Sequence, residues 1–243
     1  MKHSSASYDM LRLQGPREYQ QDSVISRSTI GVFGVADGMG GMPGGDKASS
    51  FCMQILNSLC EGMCQGETVE VIERTQQEVS APPISLVAGM LIRSLAVGVH
   101  SFLDQEKLKT GTTLSFGVFR ENFVAIGHVG DSRIYRIRGM QVDCLTVDHR
   151  GPRNSLLSCI GMKGGPMYVH ATIRSWRPGD VFLFCTDGFY EAILKGCGLS
   201  SDDYLLAQRH DNPLIRLAKG ESIEEVIKPF ELHDNTTLLR VKL

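Results

Sequence analysis

The chain has 243 residues, 42% of them hydrophobic, with 25 basic and 27 acidic side chains and a net charge of -2. That composition excludes a disordered chain and provides for a real core. The even charge balance excludes a global field that would recruit nucleic acid or an anionic membrane. The seven cysteines contain no CxxC pair, and their odd number argues for reduced thiols rather than a disulfide framework. The first residues lack an apolar signal-peptide core, and no apolar run reaches the about 18 residues of a membrane span, so a soluble cytoplasmic protein is expected.

In chain order, residues 30–36 read as a short buried strand. Helical spacing follows over 46–64, with Phe51, Ile55, Leu59 and Met63 four apart on one face. The polar stretch 68–81 reads as an exposed helix stopped by Pro82 and Pro83. Val87, Leu91, Leu95, Val99 and Phe102 then mark a second long amphipathic helix. Beyond it come short β-rich runs at 113–119, 123–129, 133–137, 142–147, 167–173, 181–185 and 236–243. Short helical candidates lie at 188–195, 201–209 and 221–228. Two long helices among many short, mostly antiparallel strands predict an α+β sandwich, and the absence of repeats or linkers predicts one domain over 1–243.

Four carboxylates mark strand ends. Asp37, Asp131 and Asp187 each follow an apolar run, and Asp234 precedes the last one. Asp-Gly after a strand is ordinarily a hairpin signal. After Asp37 and Asp187, however, the chain turns helical rather than doubling back. An uncompensated carboxylate near a core is costly, and few Lys or Arg flank these four. Mg²⁺ or Mn²⁺ is the economical compensation, because both prefer oxygen ligands and glycine-rich turns expose backbone carbonyls.

The elements "REYQQDS" (17–23), "VADGMGG" (35–41), "GTTL" (111–114), "HVGDSRIY" (128–135), "LTVDH" (145–149), "RPGDVFLFCTDGFYEAI" (177–193) and "DNTTLL" (234–239) occur in this order. Together they resemble the bacterial members of the PPM/PP2C family of metal-dependent protein serine/threonine phosphatases. The resemblance implies an α-β-β-α sandwich, two mostly antiparallel sheets packed face to face and flanked by helices. It implies hydrolysis of phosphoserine and phosphothreonine on proteins by a metal-activated water, reversing a serine/threonine kinase. Placed on this sequence, it implies that Asp37 bridges two Mg²⁺ or Mn²⁺ ions and that the Gly38 carbonyl ligates one of them. Asp187 and Asp234 would complete the first ion's protein ligands, and Asp131 matches the acid of a third, more weakly held ion. Arg17 matches the arginine that grips the substrate phosphate, and Asp22 the acid that orders metal-bound water. His128, Arg133 and His149 are expected to be packed partners, and His233 adjoins a ligand.

The pattern also departs from the family. Met39 stands where many eukaryotic relatives have a general-acid histidine, Gln20 replaces an asparagine, and Met42 and Asp46 stand at positions usually His and Glu. Only Arg150, Gly151 and Pro152 separate "LTVDH" from "RNSLLSCIG", so a shortened flap and an open groove are expected. The competing reading is a binding protein that keeps the fold without the chemistry; retention of Arg17 and all four acids argues against it. A two-metal phosphodiesterase acting on nucleic acid would need a basic stripe that this near-neutral chain lacks.

Overall fold

The computed structural model describes residues 6–40, 43–65, 84–152, 155–161, 167–199 and 212–243, the side chains of 64, 65 and 84–87 excepted. Two five-stranded sheets form its centre. One runs in the order β1 (Ser7–Leu13), β10 (Thr236–Lys242), β9 (Val181–Cys185), β6 (Arg133–Arg138), β7 (Gln141–Cys144). The other runs β2 (Asp22–Arg27), β3 (Val32–Asp37), β4 (Leu114–Phe119), β5 (Phe123–Val129), β8 (His170–Ser175). Neighbouring strands pair antiparallel in both. Helices α1 (Gly45–Gln65) and α2 (Ile84–Gln105) pack on the second sheet, and α3 (Asp187–Gly196), α4 (Pro213–Ala218) and α5 (Ile223–Ile227) on the first. This is the expected α+β sandwich.

Strand periodicity explains the layers. In β9, Phe182 and Phe184 enter the core between the sheets, while Val181, Leu183 and Cys185 face the layer under α3–α5. Both faces of this strand are buried, which is why its sequence is apolar without alternation. β3 does the same, with Phe33 and Val35 between the sheets and Val32 and Ala36 under the long helices. Phe119 meets Phe33, Phe182 and Phe184 at ring separations of 5.7, 5.0 and 6.4 Å in edge-on geometry. Each such burial contributes about 1.5–3 kcal/mol.

The helices refine the sequence pattern. On α1 the fully buried stripe is Ala48, Cys52, Leu56 and Cys60. The Phe51, Ile55, Leu59, Met63 stripe is only partly buried, and Phe51 and Ile55 meet α2. Phe51 stacks on Phe102 at 4.1 Å, and the Ile55 methyl lies 2.6 Å from where a side chain on Gly98 would begin. Large residues thus fill the helix–helix seam, and small ones allow close approach to the sheet.

Strands β1 and β2 have no counterpart in the sequence reading. Both are sheet edges with mixed exposure, so their apolar signal is weak. The strand expected at 142–147 ends at Cys144, and that at 167–173 begins only at His170. The short α4, with Pro213 at its first turn and Asn212 capping Leu214 N–H, was likewise not foreseen. The helices expected at 68–81 and 201–209 lie outside the described residues. Among the described residues, no helix is long and apolar enough to cross a membrane, and none of the six described cysteines is in a disulfide.

Candidate active site

One ladder brings two of the strand-end acids together. Asp37 closes β3 directly opposite Asp22, which opens β2. Asp131 sits in the turn from β5 to β6, Asp187 follows β9 as the first residue of α3, and Asp234 precedes β10. Their charges act on one another. Asp22, Asp187 and Asp131 all oppose ionisation of Asp37, while Asp234 opposes that of Asp22 and Asp187.

Backbone packing sets this convergence, and both Asp-Gly pairs take part. A Cβ on Gly38 would lie 2.1 Å from the Gly45 carbonyl oxygen, and one on Gly188 would lie 2.0 Å from that of Asn235. Glycine is required at both positions by main-chain contact, not by a hairpin turn. The first brings the start of α1 against the end of β3; the second brings the start of α3 against the entry to β10. The "GTTL" element holds Asp37 by its backbone. Thr113 N–H donates to the Asp37 carbonyl (2.9 Å), and Asp37 N–H donates to Thr113 Oγ1 (2.9 Å). Thr113 Oγ1 lies 2.7 Å from Ser132 Oγ, which ties this element to the Asp131 turn.

Asn235 orders the loop that carries Arg17. Its Nδ2 donates to the carbonyls of Gln14 (2.7 Å) and Tyr19 (3.0 Å), and its Oδ1 accepts from Gln21 N–H (2.8 Å). Gln20, at the family's asparagine position, spans from the Leu13 carbonyl (2.8 Å) to Asp22 N–H (2.9 Å). Arg17 itself is exposed, bonds Asp234, and lies beside Gly40. An open cavity of about 620 Å³ begins there, lined by Arg17, Glu18, Tyr19, Pro43, Gly44 and Asp46. Gly41 and Met42 fall outside the described residues.

The acids are only partly compensated. Thr186 and Thr237 hydroxyls donate to Asp22 Oδ2 (3.0 and 2.6 Å), yet Asp22 Oδ1 is buried without a partner. Asp187 Oδ1 is buried and unpartnered as well. Burial, with the charge of Asp234 added, pushes Asp22 up to about 6. Burial, then the charges of Asp131 and Glu191, pushes Asp187 up to about 7. Burial and three neighbouring carboxylates push Asp37 well above the usual range. Orphaned acceptors of this kind demand a proton or a cation. Hard carboxylate oxygens are the donors that Mg²⁺ or Mn²⁺ prefers, so the chemistry of these residues fits such ions. As placed, no three acidic, imidazole or thiol groups of the described residues enclose a single point. Two arginines stand among them instead, Arg17 on Asp234 and Arg150 on Asp131, Asp187 and Glu191.

The histidines are packed. Burial lowers His128 to about 3, and its neutral ring bonds Ser115 Oγ through Nδ1 (2.8 Å) and the Val147 carbonyl through Nε2 (3.0 Å). His149 Nδ1 accepts from Gly130 N–H (3.1 Å), Arg133 makes a bidentate pair with Asp148, and His233 is exposed. Met39 places its sulfur 3.6 Å from Cys159 Sγ.

Residue reading missed Arg150, Glu191, Asn235 and Thr186. Counting cations near each acid in sequence overlooked arginines delivered by distant segments. Glu191 was legible, because it lies four residues after Asp187 and so shares its helix face. Asn235 and Thr186 stood inside quoted elements without a role.

A family model described as protein phosphatase 2C matches residues 18–224. The serine/threonine phosphatase stp of Listeria monocytogenes serovar 1/2a is 29% identical over 177 residues, covering 63% of this chain and 64% of the relative. The serine/threonine protein phosphatase PstP of Mycobacterium tuberculosis is 24% identical over 195 residues, covering 73% of this chain and 35% of the relative. The chain therefore spans under two thirds of the length of these curated relatives. A solved PstP catalytic domain, in complex with two manganese ions, superposes with a TM-score of 0.69 at 21% identity, covering 98% of this chain and 97% of that one. With the family model spanning most of its length over this fold, the chain belongs to the protein phosphatase 2C family of metal-dependent phosphatases.

Proposed function

We propose that the protein hydrolyses phosphoserine and phosphothreonine on proteins, reversing a serine/threonine kinase in the cytoplasm. One observation carries the reading: Asp22 and Asp37 stand opposite each other at a strand end, Asp131, Asp187 and Asp234 are near enough to oppose ionisation within this set, and buried oxygens of Asp22 and Asp187 lack a hydrogen-bond donor. Asp37, the Gly38 carbonyl, Asp187 and Asp234 are proposed to hold two divalent ions, Mg²⁺ or Mn²⁺, the count found in the PstP complex. When bound, such ions lower the pKa of water and offset phosphoryl charge. The absence of disulfides at the described cysteines fits a reducing compartment.

The chain's own groups supply the remainder. Arg17, exposed at the cavity mouth, offers a planar fork to phosphoryl oxygens once it leaves Asp234. Asp22, anchored by two threonine hydroxyls opposite Asp37, is proposed as the carboxylate that orders water at the ions. Met39 has no titratable group, so the position after the Asp-Gly pair plays no acid role. A fold-retaining binding protein would have no need for this concentration of buried carboxylate.

The test is phosphate release from a phosphothreonine peptide and from p-nitrophenyl phosphate with Mn²⁺, with Mg²⁺ and with chelator. Activity is expected with metal, absent with chelator, and lowered about 10³-fold or more by Asp37→Asn, the scale on which positioned catalytic groups act. Undiminished turnover under chelation, or in the variant, overturns the reading.

A further inference from the structure

Arg150 belongs to none of the roles assigned above, yet it touches three acids of the site. Its Nε donates to Asp131 Oδ2 (2.8 Å), one terminal nitrogen to Glu191 Oε1 (2.6 Å) and the other to Asp187 Oδ2 (3.2 Å). The guanidinium thus lies between three carboxylates and gives each a separate edge. Its side chain is 11% exposed, as is that of Asp131. Burial works against its charge, but Tyr190, Asp131, Glu191 and Asp187 hold it firmly protonated.

The fold positions this arginine. Asp148 is locked to Arg133, whose Nε donates to Oδ1 (3.1 Å) and whose terminal nitrogen donates to Oδ2 (2.8 Å). His149 N–H donates to the Gly130 carbonyl (2.8 Å) while its ring accepts from Gly130 N–H. Arg150 then bridges to Leu156. Three consecutive residues are thereby pinned beside the turn that carries Asp131. Tyr190 closes the corner, its hydroxyl donating to the Asp131 carbonyl (3.2 Å) and its ring centroid 5.7 Å from the Arg150 guanidinium carbon.

We infer that Arg150 is the built-in cation of the Asp131–Asp187–Glu191 corner, so that this chain takes two divalent ions and no third at Asp131. The inference rests on the two-ion reading above. A divalent ion at Asp131 would have to evict a buried guanidinium and strand its donors, whereas the other half of the site offers buried oxygens of Asp22 and Asp187 that no donor group satisfies. Asp187 divides the two regions: Oδ2 goes to Arg150, while Oδ1 has no cationic or N–H donor and the side chain also meets Asp37.

The test is equilibrium dialysis of the full chain against Mn²⁺ up to millimolar concentration, with bound metal counted per chain. Wild type is expected to hold two ions, Arg150→Lys two, and Arg150→Ala three, the added ion disappearing in Arg150→Ala/Asp131→Asn. Asp131→Asn alone, which keeps Arg150 and needs no cavity, is expected to leave the count at two. A third ion in wild type that Asp131→Asn removes overturns the inference, as does a count of two in Arg150→Ala. Both of those outcomes leave the two-ion reading standing. No bound ion in any variant overturns both.

Discussion

Asp22 and Asp37 are Cα partners at the end of the β2–β3 ladder, so two carboxylates face one another where the sheet meets the site. Like charges directly opposed across an antiparallel pair are destabilising. Here the opposition is compounded by burial and by Asp187 and Asp131. The fold holds these acids together at a cost in stability, and that cost has a pH signature.

Asp187 shows it most directly. Its carboxyl is pushed up to about 7 from 3.8, so between those values the folded chain binds more protons than the unfolded one. In metal-free protein the stability tied to this group is therefore complete below 3.8 and lost as pH rises through about 7. Asp187→Asn should raise the melting temperature at pH 8 and leave it unchanged at pH 4, with about 2–4 °C per kcal/mol relieved. The same variant should lose phosphatase activity. Thermal melts in chelator across this range check the prediction, and a gain independent of pH contradicts it.

Arg17 should act on substrate binding. A charge-assisted, bidentate contact contributes roughly 1.5–3 kcal/mol, so Arg17→Ala is expected to raise KM about 10–100-fold with a smaller change in kcat. Arg17→Lys should recover little, because a point charge does not reproduce the fork. Asn235→Ala, which frees the loop at three hydrogen bonds, should shift KM the same way and also lower the melting temperature. Steady-state kinetics on a phosphothreonine peptide separate these effects; an unchanged KM in Arg17→Ala refutes the role.

Two glycine substitutions should have opposite signs. Gly188→Ala drives a methyl to 2.0 Å from a backbone oxygen that cannot yield without moving β10, and should cost about 2–4 kcal/mol along with activity. Gly89, within α2, would meet only Ala171 at 4.0 Å, so Gly89→Ala should stabilise by about 0.5–1 kcal/mol and leave turnover alone. Denaturant titrations of both variants measure the contrast.

What could be read in advance follows from where each signal resides. The buried strands β3, β5 and β9 announce themselves because both faces are apolar, whereas β1 and β2 are half-exposed edges with little pattern. The acids were legible because a carboxylate after an apolar run is chemically odd. Their glycines were legible as breakers, but the reason for them, contact with Gly45 and Asn235, is long-range and leaves no local trace. Arg150 was hidden for the same reason: its partners Asp131, Asp187 and Glu191 lie 19, 37 and 41 positions away. Spacing along a chain does not reveal which distant charge will arrive.

Strand β10 sits between β1 and β9, and it is entered through Asp234, which Arg17 meets across 217 positions of sequence. A nascent chain stopped at residue 230 already contains both long helices and nine of the ten described strands, and it still lacks Asp234. Until residues 236–242 are made, β1 has no partner strand and Arg17 has no Asp234 to meet, so joining β1 to β9 is a late, long-range step of folding.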